Sequence, residues 1–265
     1  CAMGETADMS GECASRTNLE MPDVQQELLA ELAKTGKPVV LLNFAGRPTV
    51  LSWEKEHIPA IMNVWFGGSE VGDALCDVIF GDKVPSGKLT TSMPKTTGQE
   101  PLYYNHQNTG RPVPDDNQKF AKFASNCLDV SNGPLYPFGY GLSYTTFEYG
   151  DLKLSSHEVN MDDWKITATI NVKNTGSRDA DEIVQLYIRD MVASISRPVK
   201  ELKGFQRIHL AAGESREICF DITPEMLKFY NAELKHVIEP GDFQIMVGGN
   251  SKEVKTQNLT VKKHP

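Results

Sequence analysis

Residues 22–44 read PDVQQELLAELAKTGKPVVLLNF and indicate the fold of the first half of the chain. Val24, Leu28 and Leu32 recur four residues apart, which predicts an amphipathic helix over about residues 22–35. The apolar run VVLLNF completes the segment. Such a run directly after a helix predicts a strand that is buried on both faces of a parallel sheet. The segment therefore predicts an α/β domain.

A second unit of the same kind follows. Residues 60–66 predict a strand, two glycines predict a turn, and residues 69–80 predict a further helix. Its apolar positions are expected to form a buried face: Val71, Ala74, Leu75, Val78 and Ile79. Two strand and helix units in succession strengthen the α/β interpretation.

The second half of the chain has a different texture. Residues 85–150 are rich in Gly, Pro, Asn and aromatic residues and predict long ordered loops, with 136–145 clamping two domains together. From residue 151 onward, apolar residues alternate with a period of two and are separated by turn signals. The alternating segments are 166–172, 184–188, 218–222 and 243–247. This pattern predicts an antiparallel β-sandwich.

Charge and hydropathy exclude several classes of function. The net charge of −8 opposes binding to a nucleic-acid backbone, which attracts clustered Lys and Arg. The basic cluster Lys262-Lys263-His264 is interpreted as a solubilising tail. No run approaches the roughly 18 apolar residues that a membrane span requires, and no signal segment begins the sequence given. We therefore expect neither a nucleic-acid partner nor a membrane span.

The five cysteines form no CxxC pair and no Cys/His metal spacing. Their odd number prevents complete pairing within the chain. We expect free thiols that are mostly buried, because Cys76 lies among apolar helix positions and Cys219 lies between strand residues.

The loop over residues 4–17 contains the candidate chemistry. It places Glu5, Asp8, Glu12 and Arg16 among small residues before the first predicted helix. Loops carry functional residues more often than cores do. A polar segment at a chain end is alternatively a solvated and frayed terminus.

Nine short motifs occur in an order that resembles a known family. They are GECASRT (11–17), GKPVV (36–40), AGRP (45–48), WFGGSE (65–70), FGDKVPSGKL (80–89), NTGRP (108–112), YPFGYGLSYT (136–145), RPVKELKGF (197–205) and PG (240–241). Their shared order over nearly the whole chain resembles the C-terminal half of glycoside hydrolase family 3, in particular the periplasmic β-glucosidases of bacteria.

The resemblance implies an architecture of α/β plus all-β type. Residues 1–112 are expected to form the C-terminal part of an α/β sandwich domain, 113–150 an ordered linker, and 151–265 a fibronectin type III-like β-sandwich. An N-terminal (β/α)8 barrel, expected in the same parent protein or in a companion chain, would supply the nucleophilic aspartate. The α/β domain is accordingly expected to begin part-way through.

The resemblance also assigns roles within the loop. Glu12 matches the acid/base glutamate, because Glu12-x-x-x-Arg16 has the spacing of the family. Glu5 is the alternative acid/base, since it ends a predicted strand where sheet enzymes often place site residues. Arg16 is expected to support the loop; a surface salt bridge with Asp8 or Glu20 is the other interpretation. The two-carboxylate mechanism needs no metal and no organic cofactor.

The expected function follows from these assignments. The chain would be part of a retaining exo-β-glucosidase that acts on a β-linked oligosaccharide or glucoside, and it would be inactive without the nucleophile. The resemblance implies a periplasmic or secreted location. A non-catalytic scaffold and a glycan-binding module remain as alternatives from other classes of function.

Overall fold

The computed structural model describes residues 1–113, 121–161 and 164–263. Its first half contains a three-stranded parallel sheet with strand order β1-β2-β3. The strands are β1 (Ala2–Gly4), β2 (Val40–Phe44) and β3 (Ala60–Asn63), and the helices between and after them are α1 (Asp23–Lys34), α2 (Ser52–His57) and α3 (Val71–Ile79). The predicted α/β class is confirmed.

Helix α1 packs on the sheet through a different face from the one that the sequence suggested. Leu29 is fully buried and clusters with Leu41 of β2. Val24 and Leu28 are 77% and 52% exposed. The reason is that apolar residues surround more than half of this helix, so that two stripes have helical spacing and the sheet covers only one of them.

Two further expectations about burial are wrong. Only one face of β2 is fully buried, at Leu41 and Asn43, whereas its other residues are half-buried. No residue of α3 is buried, although its predicted face is apolar. Helix α1 packs on the side of the sheet that carries Leu41. The other side of β2 and the apolar face of α3 are only partly covered.

The second half is a sandwich of two sheets. The smaller sheet has the order β10-β7-β4, with β5 also paired to β7, and the larger has the order β6-β14-β13-β8-β9. The elements of this half are β4 (Phe147–Tyr149), β5 (Lys153–Leu154), β6 (Glu158–Asn160), β7 (Ile166–Asn174), β8 (Ala180–Asp190), β9 (Glu201–Leu210), β10 (Ser215–Ile222), α4 (Pro224–Leu227), β11 (Phe229–Tyr230), β12 (His236–Val237), β13 (Gly241–Gly248) and β14 (Val254–Lys262). All pairs are antiparallel except β6 with β14, which is parallel. Strand β4 begins within the predicted linker.

Alternate residues of these strands form the core between the sheets. Ile166, Ala168, Ile170 and Val172 of β7 all point inward and pack with residues of β8, β10 and β13. The period of two in the sequence therefore identified the inward face correctly.

The segment between the two halves doubles back on itself. Met93 forms an antiparallel bridge with Tyr136, and Leu89 exchanges backbone hydrogen bonds with Gly139 and Tyr140 of the returning segment. Gln185 of β8 donates its amide to the Gly139 carbonyl at 3.1 Å. These contacts confirm that residues 136–145 hold the α/β half and the sandwich together.

A buried polar cluster strengthens the same junction. Lys88 Nζ lies 3.1 Å from Glu182 Oε2 of β8, and the two side chains are 14% and 4% exposed. The Tyr149 hydroxyl donates to Glu182 Oε1 at 2.8 Å, and Lys88 also donates to the Gly141 carbonyl at 2.9 Å. The buried charged groups of the junction, Lys88 and Glu182, therefore each have at least two polar partners.

The prediction of buried thiols is wrong. All five cysteines are free and exposed. Cys219 shows the reason, because Ile218 and Phe220 on either side of it point into the core and the strand period turns Cys219 outward. Of the predicted basic tail, His264 lies outside the described residues. The helices in the described ranges are all too short or too polar to cross a lipid bilayer.

Candidate active-site loop

The loop that carries the candidate residues leaves the carboxyl end of β1. Gly4 has φ +137°, and a Cβ atom there would lie 1.9 Å from the Phe44 carbonyl oxygen of β2. Only glycine fits this close approach. The Glu5 N–H then donates to the same carbonyl at 2.8 Å. The loop is thus fixed at the edge of the parallel sheet where such folds place their ligands.

Glu12 lies at the tip of a tight turn. The Ala14 N–H donates to the Gly11 carbonyl at 3.2 Å, with Glu12 and Cys13 between them. Cys13 has φ +61°, the left-handed conformation that a type II turn requires at its third position. The Glu12 side chain is exposed. Among the described residues, none forms a hydrogen bond or an ion pair with its carboxylate.

Glu5 has the opposite environment. Its side chain is only 1% exposed, and it accepts hydrogen bonds from Arg16 Nη1 at 3.0 Å and from the Gly46 N–H at 3.2 Å. Arg47 Nε lies 2.9 Å from Glu5 Oε1. Burial alone raises the pKa of Glu5, but the hydrogen bonds and the Arg47 charge outweigh it and hold the pKa below its ordinary value. These contacts oppose protonation and favour a structural role over the alternative role as acid/base.

Arg16 joins this cluster and does not form the surface salt bridge that was the other interpretation. It pairs with the Glu5 carboxylate, and its Nη2 donates to the backbone carbonyl of Glu20 at 3.3 Å. The carboxylates of Asp8 and Glu20 are not its partners. Asp8 instead accepts the Thr6 hydroxyl, which holds the pKa of Asp8 below its ordinary value. Arg16 therefore stabilises the base of the loop.

Sequence analysis assigned no role to Arg47, although its motif AGRP was noted. Its Nη2 donates to the carbonyls of Met9 at 2.7 Å and of Ala14 at 3.2 Å. Gly46 beside it has no room for a side chain, since a Cβ would lie 2.0 Å from Ser10 Oγ. The available signal was an arginine in the short loop that follows β2, at the same sheet edge as Glu5.

Comparison with family models identifies both halves of the chain. Residues 1–144 match the model described as the glycosyl hydrolase family 3 C-terminal domain, and residues 182–251 match the fibronectin type III-like domain. The first match covers more than half of the chain.

Curated relatives agree with these matches. The chain is 48% identical over 253 residues to a periplasmic beta-glucosidase of Salmonella typhimurium, covering 96% of this chain and 33% of the relative. It is 42% identical over 263 residues to a beta-xylosidase of Formosa agariphila, covering 98% of this chain and 35% of the relative. The chain thus spans about a third of the length of these relatives.

The fold is also similar to solved structures. A beta-glucosidase from Listeria innocua, in complex with gluconolactone, superposes with a TM-score of 0.92 at 40% identity, over 98% of this chain and 36% of that one. The family models, the relatives and this superposition agree over both halves. The chain belongs to glycoside hydrolase family 3 and corresponds to the C-terminal part of its members.

Proposed function

We propose that this chain supplies the general acid/base, Glu12, to a retaining exo-β-glucosidase. One observation supports the proposal most directly: the Glu12 carboxylate is exposed and has no partner among residues 1–113, 121–161 and 164–263, whereas the other carboxylates of the loop have donors. Glu5 and Asp8, the other two carboxylates of the loop, are both held in their ionised forms by donors. A general acid must reach the substrate and must not be occupied by other partners. Glu12 meets both requirements, because its loop is held in place at the edge of the sheet and its carboxylate is exposed.

The reaction would proceed in two steps. In the first, Glu12 donates its proton to the glycosidic oxygen while a nucleophilic carboxylate attacks the anomeric carbon and the bond to the leaving group breaks. In the second, the Glu12 carboxylate accepts a proton from water, which attacks the glycosyl-enzyme ester and releases the sugar. We assign the nucleophile to an aspartate of an N-terminal (β/α)8 barrel. The chain is therefore expected to be inactive by itself.

The barrel also contributes to the protonation state of the acid. A general acid must hold its proton near neutral pH, and a neighbouring negative charge favours the protonated form of a carboxyl group. About 5 to 5.5 Å separates the two carboxyl groups of a retaining site. Docking of the barrel would bring its aspartate near Glu12 and supply this neighbour.

The proposed substrates are β-linked oligosaccharides or glucosides with a terminal glucosyl residue. The relatives in Salmonella typhimurium and Listeria innocua are described as beta-glucosidases, whereas the one in Formosa agariphila is described as a beta-xylosidase. We favour glucosides because the first of these has the higher identity, 48% against 42%. The periplasmic description of the Salmonella relative supports a periplasmic or secreted location.

A fusion enzyme tests the proposal. The N-terminal two thirds of the Salmonella relative would be joined to this chain, and hydrolysis of cellobiose and of 2,4-dinitrophenyl β-glucoside would be measured. The leaving group of the second substrate departs without protonation. We expect E12Q to lower kcat/KM for cellobiose by about 100-fold to 10,000-fold and to affect the activated glucoside far less.

Two controls make the result specific. D8N changes an exposed carboxylate of the same loop and is expected to leave both rates within about threefold. The chain without the barrel is expected to show no turnover. The scaffold alternative predicts instead that E12Q and the parent fusion have equal rates, and that outcome would refute the proposal, as would strong turnover by the chain alone.

A further inference from the structure

We infer that Arg47 is a positioning residue for the general acid and that it sets where the Glu12 carboxyl stands. The inference rests on the proposed function of Glu12. Its structural basis is that Arg47 joins the two ends of the turn that carries Glu12.

The hydrogen bonds of Arg47 bracket the turn. Its Nη2 atom donates to the Met9 carbonyl, on the side that precedes Glu12, at 2.7 Å. The same atom donates to the Ala14 carbonyl, on the side that follows, at 3.2 Å. A single guanidinium nitrogen therefore closes the base of the turn. Any displacement of Arg47 would release both ends of the turn together.

The guanidinium is itself held in place. The Arg47 side chain is 17% exposed, and its Nε lies 2.9 Å from Glu5 Oε1. Arg47 Nε forms no hydrogen bond with Glu5, so this contact is an ion pair. Glu5 is anchored in turn by Arg16 and by the Gly46 N–H. Glu5 thus orients Arg47, and Arg47 orients the turn.

Lysine would not replace arginine here. The Arg47 guanidinium presents Nε to Glu5 and Nη2 to the two carbonyls at the same time. Lysine has a single ammonium group on a flexible stem and no planar fork. R47K would keep the charge near Glu5 but would not maintain both groups of contacts. It therefore tests the geometry separately from the charge.

Misplacement of the turn would affect proton donation selectively. A general acid must lie within hydrogen-bond reach of the oxygen that it protonates, and a displacement of about 1 Å lowers a rate by about 100-fold. A substrate whose leaving group needs no proton is insensitive to this displacement. The loss should accordingly depend on the leaving group, which a general loss of folding would not produce.

The test uses the fusion enzyme described above with the same two substrates. We expect R47M to lower kcat/KM for cellobiose by about 100-fold, to change kcat/KM for 2,4-dinitrophenyl β-glucoside by less than about fivefold, and to change KM little. R47K should show an intermediate loss with the same selectivity. R207M is the matched control, because Arg207 belongs to β9 of the sandwich and pairs with Asp181 of β8. R207M should leave kcat/KM for both substrates nearly unchanged and show no dependence on the leaving group.

Amide hydrogen exchange in the chain alone gives a second readout that needs no activity. R47K is expected to speed exchange over residues 9–14 and to leave β7 unchanged. Equal losses on both substrates, or unaltered exchange over residues 9–14, would overturn the inference. The proposed function fails separately: if E12Q is fully active, Glu12 is not the acid. If E12Q loses activity selectively while R47M does not, only the role of Arg47 is refuted.

Discussion

The buried ion pair between Lys88 and Glu182 predicts a large cost when one partner is removed. In K88M, the Glu182 carboxylate would keep the hydrogen bond from Tyr149 but would lose the positive charge of Lys88. The Glu182 side chain is only 4% exposed, so water would replace little of this loss. Removal of one partner from a buried pair destabilises a protein by about 3–5 kcal/mol. Because Tyr149 remains as a donor, we expect a value near the lower limit, about 3 kcal/mol. The Gly141 carbonyl also loses its donor.

Urea unfolding of the chain at pH 7, followed by tryptophan fluorescence and by circular dichroism, measures this cost. At an m value of about 3 kcal/mol/M, the midpoint of unfolding should fall by about 1 M. The matched control is K165M, because Lys165 pairs with Asp221 at 3.0 Å on the surface, where the side chains are 62% and 56% exposed. An exposed pair of this kind contributes at most about 1 kcal/mol.

A double-mutant cycle with E182Q separates the pair from its surroundings. The double variant K88M/E182Q is expected to be more stable than the sum of the single effects predicts, since no uncompensated charge remains in it. The reasoning would be refuted if K88M and K165M had equal effects, or if the effects of K88M and E182Q were additive.

Three further predictions concern other buried groups. Glu54 is 2% exposed, and its burial, with a smaller effect of the Glu20 charge, raises its pKa. The Glu54 carboxyl group therefore binds its proton more tightly in the folded state than in the unfolded state. The free energy of unfolding should therefore fall as pH rises above 4.5, the ordinary pKa of Glu. E54Q should stabilise the chain at pH 7 but not at pH 4, as measured by urea unfolding. A larger stabilisation at pH 4 than at pH 7 would contradict this. Asn174 is fully buried and donates both amide hydrogens to backbone carbonyls. An ionised aspartate cannot donate to them, so N174D should lower the free energy of unfolding at pH 7 by about 2–4 kcal/mol. A smaller loss at pH 7 than at pH 4 would contradict this explanation. G4A should displace β1, because its Cβ would lie 1.9 Å from a carbonyl oxygen of β2; hydrogen exchange over residues 5–16 should then accelerate, and unchanged exchange would show that the strand adapts.

The sandwich was predictable because one physical pattern governs it. A strand with one buried face must alternate, and Ile218 and Phe220 on β10 are buried as the period of two requires. The same period explains why the prediction for Cys219 was wrong. That prediction used the preference of the residue type for burial, and the position of the residue in the strand decided its exposure.

The orientation of helix α1 was less predictable. Val24, Leu28 and Leu32 have helical spacing, but so do Leu29 and Leu32 with Ala33, and the second set packs in the core cluster. Sequence periodicity shows that a helix has an apolar side. It does not choose between two apolar sides, because that choice depends on the sheet beneath the helix.

The candidate site was predictable only in part. Two glutamates in one loop have the same chemistry in the sequence. What separates them is the set of donors around Glu5, which includes Arg47 from the loop that follows strand β2. The parallel pairing of β1 with β2 brings Glu5 and Arg47 to one edge. No local pattern carries this information, because it arises from strand order.

The doubling back of the segment between the halves has a consequence for evolution. The bridge between Met93 and Tyr136, and the hydrogen bond from Gln99 to the Ser131 carbonyl at 3.0 Å, close the base of a long excursion of the chain. Each doubling of a closed loop's length adds only about 0.6 kcal/mol of closure entropy. An insertion beyond this base is therefore expected to cost little closure entropy and to leave the bridge between Met93 and Tyr136 in place. Chains of this fold can differ in the length of the excursion at a small cost in stability.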